Sequence, residues 1–375
     1  MSELQKRTWA EISLDNIEHN YRAVKAGLPA GCRYLGVVKA DAYGHGALPV
    51  AHRLEKAGAD YLAVSCLDEA LELRRGGVAM PILILGHTPV EYLPELIENN
   101  VTQTVSCLAK AVEYSEGAVK YGGTLRIHIK LDTGISRLGF LCAGRHFDEG
   151  VDGVTRSCML PNLDPEGVYT HFAVSDEPGA DNRAYTQAQF DLFNRVIAGC
   201  AARGVTFRIR HCANSGAVVN YPGMALDMVR PGLTLYGYGD AGGRLGLKPA
   251  MRLVTTVSTV KIYDPGTDVS YGRRFRTDRP TRMGVVGIGY ADGLFRAASN
   301  KCAFWTPHGF APQRGTICMD MCMLDLTDLP DVTVGDEIEI FGANADINAL
   351  AAAAGTISYE LLCGVSRRVP RVYRD

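Results

Sequence analysis

Several apolar runs in the first 240 residues end on side chains able to do chemistry. Lys39 closes the run in Val37-Val38-Lys39-Ala40-Asp41-Ala42-Tyr43-Gly44-His45-Gly46, Arg137 follows Leu125 to Asp132, and His171 ends Gly167 to Phe172. Asn214-Ser215-Gly216 follow Phe207 to Cys212, and Arg230 with Gly232-Leu233 ends Leu226 to Arg230. An isolated lysine at a strand end reads as a surface charge. Two valines ahead of Lys39 instead place it at the end of a buried strand, where a desolvated amine with a lowered pKa becomes a nucleophile toward a carbonyl. A Schiff base to an aldehyde cofactor is the economical use of such an amine. A phosphorylated aldehyde also needs an anion cradle, and backbone N–H groups near Ser215 and Gly232 are placed to supply one.

These residues need elements that aim them at one point. Short apolar runs alternate with amphipathic ones, which is the pattern of repeated strand–helix units and a parallel sheet. Strands are predicted at Tyr34 to Val38, Tyr61 to Ser65, Ile82 to Gly86, Val101 to Ser106, Leu125 to Asp132, Gly167 to Phe172, Phe207 to Cys212 and Leu226 to Arg230. Eight strands close a (β/α)₈ TIM barrel, whose chemistry sits at the strand C-termini and whose phosphate sites follow strands seven and eight. Helices are predicted at Asp15 to Ala26 and about Asp181 to Arg203. Between Leu141 and Glu166, Gly144, Gly150, Gly153, Pro161 and Pro165 predict a short or irregular helix. The barrel domain is set at residues 14–240. Residues 241–375, with 1–13, form a β-rich C-terminal domain whose helical material is Ile347 to Ala354 and Ser358 to Val365.

Composition bounds the partners. With 47% hydrophobic and 21% charged residues, a 375-residue chain is globular rather than disordered. Lys plus Arg number 39 against 41 Asp plus Glu, a net charge of −2, which argues against nucleic acid or an anionic membrane as partner. A small molecule or a second copy is expected instead. Eleven cysteines without paired rhythm, and an opening Met1-Ser2-Glu3-Leu4-Gln5-Lys6-Arg7 with no apolar segment behind it, lead us to expect free thiols, no signal peptide and a cytoplasmic location. Cys318-Met319-Asp320-Met321-Cys322 lacks the paired short spacing of zinc sites, and no metal is expected.

Taken together, the motifs resemble the PLP-dependent alanine racemases of fold type III over nearly the whole chain. The matching stretches include Val37 to Gly46, Lys130-Leu131-Asp132-Thr133-Gly134-Ile135-Ser136-Arg137-Leu138-Gly139, Tyr169 to Ala173, Ala213-Asn214-Ser215 and Val229-Arg230-Pro231-Gly232. Val269-Ser270-Tyr271-Gly272, Gly289 to Gly293, Ile317 to Asp320 and Ser358-Tyr359-Glu360 continue the series. The resemblance implies that Lys39 holds pyridoxal 5′-phosphate and serves as one proton-transfer base. Tyr271 of a partner subunit would be the other. Removing the α proton from one face and returning it to the opposite face needs two such groups. Arg230 would face the pyridine nitrogen and His171 would hold Arg230 in place. Tyr43, Ser215, Gly232, Leu233 and Tyr359 match phosphate-contacting positions, with Asn214 beside them. Arg137 would steer the substrate carboxylate, and Met319 would offer it a backbone N–H from the partner chain.

On a period-2 strand Arg126, His128, Lys130 and Asp132 share one face, an expensive place for a bare ammonium if it points inward. The resemblance implies carbamylation of Lys130; pairing with Asp132 is the alternative. Thr316 and Met321 stand where the family more often has arginine and glutamine. The expected reaction is interconversion of L- and D-alanine, with D-alanine destined for peptidoglycan, by a homodimer with shared active sites. Tyr359 would narrow the pocket toward a methyl side chain, leaving a serine or broad-specificity amino-acid racemase as the alternative. PLP decarboxylases of basic amino acids share the plan but rely on an acidic partner for the ring nitrogen. A non-catalytic PLP carrier has no use for the second domain.

Overall fold

The computed structural model describes residues 6–240 and 243–375. The sequence-based boundary after residue 240 and the reading of the first five residues therefore fall on positions outside the described residues. The chain divides into two compact units. One comprises Ile17–Ala42 and Ala47–Leu247; the other comprises the described parts of Met1–Asn16, Tyr43–Gly46 and Lys248–Asp375.

The first unit is a barrel. Among the described residues its parallel strands are Arg33–Val37, Tyr61–Val64, Ile82–Ile84, Val101–Val105, Leu125–Asp132, Leu163–Tyr169, Ile209–His211 and Met228–Val229, paired in that order, with the last returning to the first. The seam between the seventh and eighth strands is closed by Asp227 N–H to Arg210 O at 3.1 Å and Arg230 N–H to Ala213 O at 2.9 Å. Leu35, Leu62, Ala63, Ile82, Leu83 and Ile84 are wholly buried, as strands covered on both faces must be. The helices that cover them include Leu14–Ala26, which buries Ile17, Tyr21 and Val24 on one stripe.

Two local expectations are corrected. The interval after Leu141 holds a regular helix, Phe147–Cys158, after a short turn at Gly144–His146. Its glycines are contact points rather than breaks. A Cβ on Gly150 would lie 2.6 Å from Leu141 O and 2.8 Å from Cys142 Sγ, and one on Gly153 would press on the Phe140 ring at 3.3 Å. The sixth strand begins at Leu163 rather than Gly167. Ile127 pairs with Pro165 and His128 with Gly167, so Glu166 is the extra residue of a β-bulge.

The second unit is built on a mainly antiparallel sheet. Thr8–Ser13 lies between Met251–Tyr263, antiparallel to it, and Arg371–Arg374, parallel to it. The sheet continues through Glu337–Phe341, Ala303–Thr306, Gly309–Arg314, Cys322–Asp325 and Thr281–Val286. Helices Ile347–Ala354 and Ser358–Gly364 follow. Among the described residues no helix is long and apolar enough to cross a membrane.

Two buried carboxylates organise this unit. Glu339 accepts from Arg252 Nε at 2.8 Å, Asn344 N at 2.7 Å and Ala345 N at 3.1 Å. Asp292 accepts both Arg7 Nη groups, at 3.0 and 2.9 Å, Arg368 Nε at 2.8 Å and Gly289 N at 2.9 Å. Burial works against both charges. The hydrogen bonds outweigh it, so each carboxyl is held below its ordinary value. A carboxylate whose pKa is depressed by folding adds stability above its unfolded value, and that stability is lost as the pH falls through the folded value. Thermal stability is therefore expected to be level above about pH 5 and to fall below about pH 4, with a shallower fall in Asp292→Asn. Removing one partner of a buried pair costs about 3 kcal/mol. Arg252→Ala should show that loss in urea unfolding, and Arg252→Ala with Glu339→Gln should recover part of it.

Candidate active site

Lys39 follows a strand end locked by Val38 N–H to Ala63 O at 2.9 Å. The backbone then turns left-handed. Ala40, Asp41 and Ala42 all have φ 53°, and Tyr43 has φ 54°. Such a run costs roughly 1–2 kcal/mol per L-residue and persists only where the surroundings hold it. Glu69 supplies one hold. Its carboxylate accepts Ala40 N at 2.7 Å and Ser65 N at 2.6 Å, joining the ends of the first two barrel strands. Asp41 supplies another by accepting Ala47 N at 2.7 Å.

Arg230 is the centre of the barrel cluster, 4% exposed and following the eighth strand. Its Nη1 donates to His211 Nδ1 at 3.1 Å; its Nη2 donates to Thr170 O at 2.7 Å, Cys212 O at 3.2 Å and His171 Nδ1 at 3.4 Å. Among the described residues its Nε–H makes no protein hydrogen bond, so that edge remains for a ligand acceptor. Burial lowers the guanidinium to about 10, still cationic at neutral pH. Burial also pushes His171 and His211 far down, and Arg230 reinforces it, so both imidazoles are neutral.

Lys130 is 3% exposed. Its Nζ donates to Leu131 O at 3.3 Å and lies 5.0 Å from the centre of the Tyr169 ring, while the Arg230 guanidinium lies 5.2 Å from the same centre. Burial, then the charges of Arg230 and Arg137, drive the Lys130 amine far below the usual lysine value. Asp132 does not pair with it among the described residues. Its Oδ1 accepts Gly134 N at 3.0 Å and Ser136 N at 3.1 Å, shaping the loop that carries the exposed Arg137. That loop returns at Gly139, with φ 130°, where a Cβ would sit 2.6 Å from Asp132 N.

After the seventh and eighth strands, hydroxyl and N–H groups converge. Ser215 Oγ accepts Gly232 N at 2.9 Å and Thr234 N at 3.3 Å, and Thr234 Oγ1 lies 3.3 Å away. Leu233 lies between those two amides. Asn214 caps Ser215–Asn220 by accepting Ala217 N at 3.0 Å, so Ser215 itself is not the cap. A small set of neutral donors without a carboxylate among them suits a phosphate. The donors fit the phosphate of pyridoxal phosphate, and the Arg230 Nε–H fits an acceptor nitrogen.

In the second unit Tyr43 and Tyr359 lie with ring centres 5.8 Å apart, and burial raises the Tyr43 hydroxyl. Arg371 Nε donates to Gly44 O at 3.0 Å and so fixes the loop after Tyr43. Tyr271 is 71% exposed. Its backbone is held from both sides: Thr316 Oγ1 donates to Tyr271 O at 2.7 Å, and Ser270 Oγ donates to Thr316 O at 2.6 Å. Thr316, a departure from the family pattern, thus acts on Tyr271 directly. Tyr290 N and Ala291 N donate to Cys318 O and Met319 O, both at 3.0 Å, which leaves the Met319 side chain 52% exposed. A cavity of about 410 Å³ opens beside Tyr271, bounded by Ser270, Met283, Cys318, Met321 and Met323.

The barrel thus brings Lys130, His171 and Arg230 together, with Asn214, Ser215, Gly232 and Leu233 forming the nearby cradle. The second unit groups Tyr43 with Tyr359 and Tyr271 with the Met319 loop. Sequence reasoning missed Glu69 and His211. His211 shares the inward face of its strand with Ile209, a period-2 signal that was available. The two ends of the Glu69 contact are far apart in sequence, with no local signal. Because only glycine takes φ near 53° freely, Ala40→Gly should leave the melting temperature level or slightly higher, whereas Ala40→Val should lose about 2 kcal/mol in thermal unfolding.

Family models agree with this arrangement. The alanine racemase N-terminal domain matches residues 12–240 and the alanine racemase C-terminal domain matches residues 250–373. An alanine racemase of Clostridium tetani is 42% identical over 97% of this chain and 95% of its own, and one from Desulfovibrio desulfuricans is 41% identical over 100% of both. Among solved structures, an alanine racemase of Clostridium difficile 630 superposes with a TM-score of 0.91 at 38% identity, covering 99% of this chain and 97% of that one. The alanine racemase from Bacillus anthracis with bound L-Ala-P superposes with a TM-score of 0.89 at 33% identity, covering 100% and 96%. With both domains matched in order along nearly the full chain, the protein belongs to the alanine racemase family.

Proposed function

We propose that this protein interconverts L- and D-alanine with pyridoxal 5′-phosphate, acting as a homodimer whose chains share active sites. The observation that carries the reading is the buried Arg230, a donor-only group whose Nε–H would face the cofactor's ring nitrogen and leave it unprotonated. Lys39 would hold the cofactor through its amine. Ser215, Gly232, Leu233, Tyr43 and Tyr359 would hold its phosphate, with Asn214 fixing Ser215. When bound, the group supplies an electron-withdrawing ring that acidifies the substrate Cα–H. Arg230 has no proton to give the ring nitrogen and would thereby favour racemisation over transamination. His171 keeps Arg230 in position.

Lys39 Nζ and Tyr271 Oη then take and return the proton at Cα from opposite faces. On its own chain Tyr271 is exposed. It is expected to act where a second chain covers it, with Met319 N–H donating to the substrate carboxylate in the same place. Arg137 steers that carboxylate. The free cysteines and near-neutral charge suit a cytoplasmic enzyme, and D-alanine for peptidoglycan is the expected product use.

Lys130 is proposed to be carbamylated. Its neutral amine attacks CO₂: an N–C bond forms, one proton leaves, and a buried neutral amine becomes an anion beside Arg137 and Arg230. Protein equilibrated with ¹³C-bicarbonate should show a carbamate carbon signal that Lys130→Ala removes. An unmodified ammonium at full occupancy would exclude the modification.

Incubating the protein with pyridoxal phosphate and L-alanine in D₂O should give deuterium at Cα and a one-to-one enantiomer ratio, with L-serine slower. Equal rates would move the assignment to a broad-specificity racemase. Inactive Lys39→Ala and Tyr271→Phe chains, once mixed, should regain activity through one intact site of each heterodimer; no recovery would sink the shared site.

A further inference from the structure

A line of hydrogen bonds runs away from Arg230, on the side opposite its free edge, through two histidines to a carboxylate. His211 Nε2 lies 2.9 Å from His128 Nδ1, and His128 Nε2 lies 3.1 Å from Glu166 Oε2. Both imidazoles are wholly buried. Tyr61 also donates its hydroxyl to Glu166. We infer that Glu166, His128, His211 and Arg230 form one proton-ordered wire, both imidazoles neutral and protonated at Nε2, in which Glu166 is the remote counter-charge that positions Arg230.

The proton arrangement follows from counting. A guanidinium only donates, so His211 Nδ1 must accept from Arg230 and its proton sits on Nε2. That proton points at His128 Nδ1, which must accept, so the His128 proton is also on Nε2. It points at Glu166, which as a carboxylate can only accept. A second proton on either ring would set two donors against each other at 2.9 to 3.1 Å. The groups facing the wire leave the order intact. Tyr169 stacks on His211 with ring centres 4.8 Å apart, and its hydroxyl is engaged with Thr104 at 2.9 Å. Lys130 and His171 lie on the Arg230 side, while Arg126 Nε, at 3.8 Å, and Arg208 Nη2, at 4.0 Å, face Glu166 Oε1.

Two backbone features serve this line. The bulge at Glu166 is what lets its carboxylate meet His128, the pairing partner of the next residue. Gly167 leaves room for the ring: a Cβ there would lie 2.6 to 2.8 Å from three atoms of the His128 imidazole. The need is electrostatic. Among the described residues no carboxylate lies within ion-pair distance of Arg230, and a buried cation without an anion is costly. Burial alone would raise Glu166, yet the bonds from His128 and Tyr61 pull it down to about 2, so the far end stays negative.

The wire itself is independent of the proposed reaction; the role of Glu166 toward Arg230 in turnover rests on that reading. Cofactor-loaded protein labelled with ¹⁵N-histidine should show His128 and His211, assigned by loss of signal in His128→Gln and His211→Gln, as neutral Nε2–H rings that do not titrate from about pH 6 to about pH 9. A cationic ring or an Nδ1–H ring would overturn the arrangement. Glu166→Gln keeps an acceptor but removes the charge. It should lower kcat for alanine about tenfold with KM changed less than about twofold, and shift the visible absorption of the bound cofactor. A Glu166→Gln enzyme with unchanged kcat and spectrum would overturn the counter-charge role. Should Glu166→Gln fold poorly, the histidine signals of the unaltered protein still decide the wire. If the unaltered protein racemises nothing, the reaction assignment fails and the ¹⁵N result stands by itself.

Discussion

A buried guanidinium without a carboxylate beside it is the constraint around which the barrel interior is arranged. Arg230 is satisfied by two carbonyl oxygens and two imidazole nitrogens, all neutral acceptors. Its charge then acts on everything within reach. It helps to keep His171 and His211 neutral and to depress the Lys130 amine, after burial has done most of that. Placing an anion in direct contact would relax these shifts, but it would also draw the guanidinium away from its open edge. The barrel holds its cation by dipoles on three sides and leaves the fourth for a ligand.

The second unit solves the opposite problem by the opposite means. Its buried charges are the carboxylates of Asp292 and Glu339, and each has an arginine in direct contact. Asp292 also fixes Gly289 N, at the start of the loop whose Tyr290 and Ala291 amides bind Cys318 O and Met319 O. The ion cluster therefore sets the backbone around Met319 while its side chain remains exposed. Stability and presentation are coupled through one carboxylate.

The larger features were legible from sequence because they follow from period and composition. Two valines before Lys39 marked a buried strand end, and alternating apolar and amphipathic runs marked the barrel. What could not be read were features that depend on contacts across the fold. Ala40, Asp41 and Ala42 favour right-handed helix by intrinsic preference; their left-handed turn exists because Glu69 and Asp41 accept amides that the turn exposes. Gly150 and Gly153 looked like breaks because a glycine that admits a neighbouring strand is written the same way as one that ends a helix. The bulge that turns Glu166 toward His128 is a property of two strands rather than one.

The same distinction bears on Tyr271. Its sequence motif names a tyrosine, and the residue stands 71% exposed to water on its own chain. Thr316 Oγ1 donates to Tyr271 O and Ser270 Oγ donates to Thr316 O, which fixes where the Tyr271 side chain starts. The hydrogen bonds that orient Tyr271 therefore lie within one chain. A buried guanidinium such as Arg230, if brought by a second copy, would have the sign that favours a phenolate. On the proposed reading, one chain would aim the tyrosine and the other would supply the charge that faces it.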